Sequence, residues 1–391
     1  MKRIKNWNIG MHCILACLYF LLLPTTTAVD SGGNSFLKLA TIPIAAYFCF
    51  TILFSKRKMV FNVVHLLLCI YTLTTLITLF ITYDDTSVSS VTGYFLNVAV
   101  YLCLTVVRYN EKELSLLEYS QVLLLLILVC ITLFSNGEIY DRTTLVIFGQ
   151  KSDPNYFVGF FIFPISVTLK KIVQSKYRII YAILLALGIY CVFLTGSRGG
   201  LLAVIVTIAA FALIYPQKGT SKLLLLFAGC SFVLFMWFLV LPFLPDNIID
   251  RMTIQSVVET GGTGRWDIWK IMLNEVKSSQ NKLILGRGFG DMNRIFLEGR
   301  WDPAVAHNQL IQVLYNQGIV GLTAFLCLTM GCFFRCVRKR RTVSVAIIGM
   351  MALSVSLSFN QTTRTFWNLV AYAAFNFTEG ETNRLPEVDQ P

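Results

Sequence analysis

The chain has 391 residues, of which 55% are hydrophobic and only 14% are charged, and its mean hydropathy is +0.66. A soluble domain carries about 25% charged residues, so this composition excludes an ordinary soluble protein. The net charge of +12 would suit nucleic acid. However, the basic residues cluster in short loops between apolar runs, which is the distribution of a membrane protein with basic cytoplasmic loops.

Long apolar runs predict an all-α polytopic membrane protein, because backbone groups inside a bilayer must pair within their own helix. Each run approaches the roughly 20 residues that a span needs. The first could also be a secretory signal peptide cleaved after Thr26-Thr27-Ala28, but we favour a retained span. The predicted spans are 9–29, 36–54, 60–82, 91–107, 116–135, 155–173, 179–195, 199–215, 223–244, 319–334, 343–359 and 365–378.

The arrangement of Lys and Arg sets the predicted orientation. Of the 33 basic residues, 20 fall on one side, eight lie in one long polar segment and five lie in the remaining loops opposite. The positive-inside rule places the richer side in the cytoplasm. We therefore predict about twelve transmembrane helices in a single integral domain, 1–391, with both termini cytoplasmic and the long segment outside the cytoplasmic (inner) membrane.

The long extracytoplasmic loop covers 245–306 and leads into a helix predicted over 303–317. Asp302 suits the cap of that helix and Pro303 its first position, so His307 should lie about one turn inside it. Gly318 should end the helix before the tenth span. Five arginines, whose planar forks suit phosphate oxygens, occupy the loop: Arg251, Arg265, Arg287, Arg294 and Arg300.

Two shorter stretches of this loop predict local structure. Residues 266–276 place Trp266, Trp269, Leu273 and Val276 on one helical face. That face would lie at the membrane surface, and its tryptophans would serve as anchors or stack on sugars. The stretch "ILGRGFG" (284–290) predicts a tight bend and lacks the spacing of a phosphate-binding loop.

His307 is the strongest catalytic candidate in the chain. The other histidines, His12 and His65, lie in apolar runs, whereas His307 lies in the polar loop among arginines. A histidine with an ordinary pKa near 6.5 suits a general base at neutral pH. Arg198 is the second candidate, because small residues surround it in "TGSRGG". It either binds a ligand or extends to the membrane surface. Asp153 and Pro154 predict the start of the sixth span.

These residues resemble the O-antigen ligases and the related O-antigen and capsule polymerases. The family motif is a histidine, then Asn, Ser or Gln, nine free residues, a glycine, two free residues and a small residue. His307, Asn308, Gly318 and Gly321 match it completely. Three further stretches resemble elements of the family. "TGSRGG" is similar to its Ser-Arg-Gly element, and "DPNYFVG", which contains Asn155, is similar to its Pro-Asn element. "GRWDIWK" is similar to the Arg-x-x-x-Trp start of its outer loop.

The resemblance implies an inverting, metal-independent glycosyltransferase of the C-type membrane class, without a cofactor. Its donor would be a glycan on undecaprenyl diphosphate and its acceptor another glycan or lipid-linked glycan, at the outer face. Arg198 and Arg265 would hold the diphosphate, His307 would accept the acceptor's proton, and Asn155, Asn308 and Gly318 would support the site. Other polysaccharide assembly proteins are possible partners.

Several alternatives remain open at this stage. The product would be O-antigen, lipopolysaccharide, capsule or exopolysaccharide. For the enzyme that makes it, we slightly favour a polymerase over a ligase. A transporter or flippase of lipid-linked oligosaccharide is the alternative from another class, although such proteins usually carry ionisable groups at mid-membrane. A non-catalytic scaffold would require His307 to be dispensable.

Overall fold

The computed structural model describes most of the chain. The described residues are 9–27, 36–54, 59–82, 85–134, 138–139, 142–144, 146–147, 150–151, 153–214, 241–244, 246–252, 265–289, 305–339, 341–357 and 364–377, with four single positions between 229 and 238. Helices dominate these residues, which confirms the all-α prediction. Three pairs of two-residue strands occur in addition.

The first eight helices cover the predicted spans one to eight. They are α1 (Met11–Leu21), α2 (Phe36–Phe54), α3 (Val63–Ile81), α4 (Asp85–Thr105), α5 (Glu111–Phe134), α6 (Pro154–Gln174), α7 (Arg178–Leu194) and α8 (Arg198–Ile214). The first is shorter than predicted, because a 3₁₀ turn at Leu23–Thr27 follows it. Ala28, the residue at the considered cleavage site, lies outside the described residues.

The second half contains both short and long helices. They are α9 (Asp246–Met252), α10 (Arg265–Lys277), α11 (Gln280–Leu285), α12 (Gln309–Arg338), α13 (Val343–Leu353) and α14 (Arg364–Ala374). Most of the ninth predicted span, 223–244, lies outside the described residues, as do Asp302 and Pro303. Four described helices are long and apolar enough to cross a membrane: α3, α5, α6 and α12.

The strands form three small pairs. β1 (Arg108–Tyr109) pairs in parallel with β6 (Asn376–Phe377), and the antiparallel pairs join β2 (Glu138–Ile139) with β3 (Arg142–Thr143) and β4 (Val146–Ile147) with β5 (Gln150–Lys151). The two antiparallel pairs lie in the loop between α5 and α6. With only two residues per strand, these pairs connect helices and do not form a layer of their own.

Helix α6 lies at the centre of the described helices, with 72% of its apolar window buried. It packs against α5, α7, α8 and α13. Its start is as predicted: the Asp153 side chain accepts hydrogen bonds from the backbone N–H groups of Asn155, at 2.7 Å, and Tyr156, at 3.4 Å, and Pro154 occupies the first turn. The start of α6 is therefore fixed by the cap that its sequence predicts.

The helix that follows His307 differs from the prediction. Residues 305–308 are not helical and α12 begins at Gln309. The part 309–317 of the predicted helix is therefore confirmed, whereas the placement of His307 inside that helix is wrong. Asn308 is the N-cap instead, because its side chain accepts from the N–H groups of Leu310 and Ile311 at 3.1 and 3.2 Å. The break at Gly318 is confirmed, since this residue has φ 64° and ψ −165° within α12.

Candidate active site

His307 lies in the short non-helical segment 305–308, just before α12. Its φ of 47° makes it the one non-glycine residue with a left-handed backbone among the residues described. Such a conformation is uncommon outside glycine, although asparagine, aspartate and histidine adopt it more often than other residues, and it is held by its surroundings. The side chain is half-buried, and its Nδ1 is enclosed without a hydrogen-bond partner in the described structure.

The surroundings of His307 lower its pKa below the usual 6.5. Burial is the main cause, because it disfavours the charged imidazolium, and the positive charge of Arg265 acts in the same direction. The carboxylate of Asp153 opposes them and raises the pKa. His307 is therefore held neutral at physiological pH, with one cation and one anion close enough to affect it. The sequence interpretation identified Arg265 but treated Asp153 only as a helix cap.

The starts of α6 and α8 are joined directly. The Ser197 hydroxyl donates to the side-chain oxygen of Asn155 at 2.8 Å, and the same hydroxyl accepts from the Gly200 N–H at 3.1 Å. Arg198 is the first residue of α8 and is half-buried. Two of the predicted site residues, Asn155 and Arg198, are thus brought together by a serine that sequence reasoning did not single out.

The glycines beside Arg198 allow close packing within the protein. A Cβ on Gly199 would overlap the side chain of Ser356, and one on Gly200 would overlap Val158 and Ser197. Ser356 belongs to the turn that ends α13. The same turn meets the start of α12, because the Gln309 N–H donates to the Ser354 carbonyl at 2.8 Å.

The N-termini of α6, α8 and α12 therefore meet at one end of the bundle. A helix N-terminus carries unpaired N–H groups and a partial positive charge, which together favour anions. Arg198 begins α8, and Arg265, close to His307, begins α10. The arrangement can hold a polyanionic group next to a neutral imidazole.

Helix α10 packs on the first turns of α12. Its buried face carries Ile268, Met272 and Val276, which contact Ala306 and Tyr315. Trp266 is 68% exposed, as a residue at the membrane surface would be, whereas Val276, which was predicted on the same face, is buried in the protein. Trp269 is half-buried, and its indole N–H donates to the Ala306 carbonyl at 2.6 Å, so this nitrogen faces the protein and not a membrane surface.

The glycine-rich bend at 284–289 crosses α12 near its break. The N–H groups of Arg287 and Gly288 donate to the carbonyls of Tyr315 and Asn316 at 2.8 and 2.9 Å. Gly286 and Gly288 have φ values of 82° and 90°, which confirms the predicted tight bend. Arg287 also lies 3.2 Å from the Glu275 carboxylate. The side chains of Arg251, Arg294, Arg300 and Arg364 lie outside the described structure.

No described residues form a group of three or more His, Cys, Asp or Glu that could hold a metal ion. The candidate site within the described residues contains helix N-termini, the two arginines Arg198 and Arg265, and the half-buried His307.

Residues 183–326 match the family model described as O-antigen ligase. The matched range contains Arg198, Arg265, His307, Asn308 and Gly318, whereas Asn155 lies outside it. A search of curated protein sequences finds no matching relative. Over these residues the chain is similar to the O-antigen ligase family, which confirms the resemblance found in the sequence. The match supports glycan transfer of the O-antigen ligase or polymerase type.

Proposed function

We propose that this protein transfers a glycan from a polyprenyl-diphosphate donor, such as undecaprenyl diphosphate, to the hydroxyl of an acceptor glycan at the outer face of the cytoplasmic membrane. The observation that carries this proposal is the half-buried His307 just before α12, at the end of the bundle where the N-termini of α6, α8 and α12 meet. Burial and the charge of Arg265 lower its pKa. The family match to residues 183–326 supports the reaction class.

The reaction assigns a separate task to each group. The acceptor oxygen attacks the anomeric carbon, the bond from that carbon to the diphosphate oxygen breaks, and the diphosphate leaves with the electron pair. His307 accepts the acceptor's proton, which requires a neutral imidazole. Attack from the face opposite the leaving group inverts the anomeric centre.

Arg198 and Arg265 stabilise the departing diphosphate. Guanidinium groups and helix N-termini are fixed positive charges placed where negative charge develops, which is the usual way to lower such a barrier. Because these charges come from the protein, the proposed reaction is metal-independent. Asn155 supports the start of α8 through Ser197, and Asn308 and Gly318 support the two ends of the first part of α12.

The proposed topology has about twelve spans, with both termini in the cytoplasm and 245–306 outside. The charge distribution supports this topology, because with these spans 20 of the 33 Lys and Arg residues fall on the cytoplasmic side. We favour a polymerase over a ligase, because a polymerase needs only a second lipid-linked repeat unit. Surface glycan from a deletion strain separates the two: single repeat units on the acceptor core indicate polymerase loss, and long lipid-linked chains without transfer indicate ligase loss.

The main test is His307→Ala in the purified protein with a lipid-linked donor. We expect transfer to fall by about 10²- to 10⁴-fold, the usual contribution of a general base. Donor binding should persist, because the arginines remain. His307→Gln should behave like the alanine variant, and Lys270→Gln, an exposed change in the same segment, should remain active. Transfer by His307→Ala within about threefold of the native rate would refute the base role.

A further inference from the structure

We propose that Trp269 and Gln312 are positioning residues, which hold His307 in its catalytic orientation by fixing both backbone polar groups of Ala306. This inference rests on the proposed base role of His307. The indole N–H of Trp269 donates to the Ala306 carbonyl at 2.6 Å, and the Ala306 N–H donates to the side-chain oxygen of Gln312 at 3.1 Å. Gln312 occupies one of the nine free positions of the histidine motif, and Trp269 is the tryptophan of the Arg-x-x-x-Trp element.

The Ala306 carbonyl belongs to the peptide plane that leads directly into His307. Fixing this plane fixes one side of the dihedral angle φ of His307, which is 47°. A left-handed backbone is unfavourable for a residue that has a side chain, so contacts with the surrounding protein have to hold His307 in it. Ala306 is completely buried, and water cannot replace a donor that it loses.

Gln312 is itself held at both ends of its amide. Its side-chain oxygen accepts from Ala306, and its side-chain nitrogen donates to the side-chain oxygen of Asn316 at 3.2 Å, one turn further along α12. The side chain is 6% exposed. Because one end of the amide is tied to the helix, the other end presents an acceptor at a fixed place before the helix starts.

Trp269 adds a connection to the proposed diphosphate site. It lies four residues after Arg265 on α10, so both side chains lie on the same part of that helix surface. The bond from Trp269 to Ala306 therefore sets the distance between the segment that carries Arg265 and the segment that carries His307. Since the charge of Arg265 lowers the pKa of His307, loosening this bond should weaken that effect.

The test compares Trp269→Phe with Trp266→Phe on the same helix. The first change removes the indole donor but keeps an aromatic ring, whereas Trp266 is exposed and serves as the matched control. We expect Trp269→Phe to lower kcat by about ten- to a hundredfold, because small misplacements of a catalytic group have large effects. The donor KM should change less, and Trp266→Phe should keep the native kcat.

A readout independent of transfer is the NMR titration of ¹³C,¹⁵N-histidine-labelled protein. The chain has three histidines, so the signal absent from His307→Ala assigns His307. In Trp269→Phe the His307 signal should shift and its pKa should rise. Gln312→Met, which keeps the length of the side chain but removes both of its polar atoms, should shift the same signal and lower kcat.

The outcomes separate this inference from the proposed function. If His307→Ala stays active but the His307 signal still shifts in both variants, the base role fails and the restraint stands. If Trp269→Phe and Gln312→Met lower the melting temperature while kcat and the His307 titration stay native, the two residues only stabilise the fold and the inference is wrong. Native behaviour in every measurement refutes it as well.

Discussion

The break in α12 at Gly318 supplies the prediction whose magnitude the structure defines best. Gly318 has φ 64° and ψ −165°, a region that is open essentially to glycine alone. A Cβ at this position would overlap the backbone carbonyl of Ile284 and the backbone nitrogen of Leu285. Gly318→Ala therefore meets both an unfavourable conformation and a backbone obstacle that cannot rotate away.

The expected cost has two parts. The conformation itself costs about 1–3 kcal/mol for a residue with a side chain. If the bend at 284–288 moves away, the two hydrogen bonds from Arg287 and Gly288 to Tyr315 and Asn316 are lost, at about 0.5–1.5 kcal/mol each. The total is roughly 2–6 kcal/mol, and the loss should be local to residues 284–289 and 309–318.

Hydrogen–deuterium exchange in detergent or nanodiscs measures this change, together with the melting temperature. Gly318→Ala should raise exchange at the N–H groups of Arg287 and Gly288. Gly331→Ala is the matched control on the same helix, because its Cβ would meet only the end of the Leu67 side chain and alanine is the better helix former by about 1 kcal/mol. Equal protection and equal melting temperatures in the two variants would refute the reasoning.

Three further predictions concern charge and orientation. Because Asp153 raises and Arg265 lowers the pKa of His307, Asp153→Asn should move its NMR titration to lower pH and Arg265→Gln to higher pH; shifts in the opposite sense would contradict the assignment. Asparagine keeps the cap of α6. Arg198→Lys should lose most transfer activity while remaining inserted, because lysine cannot make a two-pronged contact with diphosphate, and near-native activity would argue against that contact. A cysteine at the exposed Lys277 should react with an impermeant thiol reagent added outside intact cells, above the background of the native chain; labelling only after permeabilisation would invert the topology.

Local signals in the sequence predicted the features that depend on a few neighbouring residues. Helix α2 occupies the predicted range 36–54, Asp153 caps α6, and Gly318 breaks α12. Each depends on hydrophobic run length, capping chemistry or the conformational range of glycine. These properties belong to a segment of chain wherever it lies, so no knowledge of the tertiary structure was needed.

The start of α12 could not be predicted in the same way, because two caps compete. Asp302 before Pro303 and Asn308 before an apolar run are both good N-cap signals. The described structure begins the helix after Asn308, where a contact distant in sequence takes part: the Gln309 N–H donates to the Ser354 carbonyl. A bond between residues 45 positions apart leaves no trace in local pattern.

The face of α10 that is buried in the protein was not identified for a related reason. Residues Trp266, Trp269, Leu273 and Val276 and residues Ile268, Met272 and Val276 both follow helical spacing. Periodicity identifies a helix with apolar residues on more than one side, but the partner decides which side is buried. Here the partner is the start of α12, with Ala306 and Tyr315. The closeness of Asp153 to His307 was missed likewise, because these residues are far apart in the chain.

The spacing within the histidine motif follows from how the first part of α12 is held. The nine residues from Gln309 to Gln317 rise about 13 Å, and the segment 265–289 contacts both ends. Trp269 binds Ala306 at the start, and the bend at 286–288 binds the carbonyls before Gly318.

At the break, the Gln317 amide lies among the hydroxyls of three α3 residues, Tyr71, Thr74 and Thr75. A Cβ on Gly321 would overlap the Gln317 side chain, so the last small residue of the motif leaves room for that side chain.

One residue more or less between His307 and Gly318 would rotate one end of this part of α12 by about 100° relative to the other. The bond to Ala306 and the bonds at the bend could then not form together, so these contacts require the fixed number of residues between His307 and Gly318.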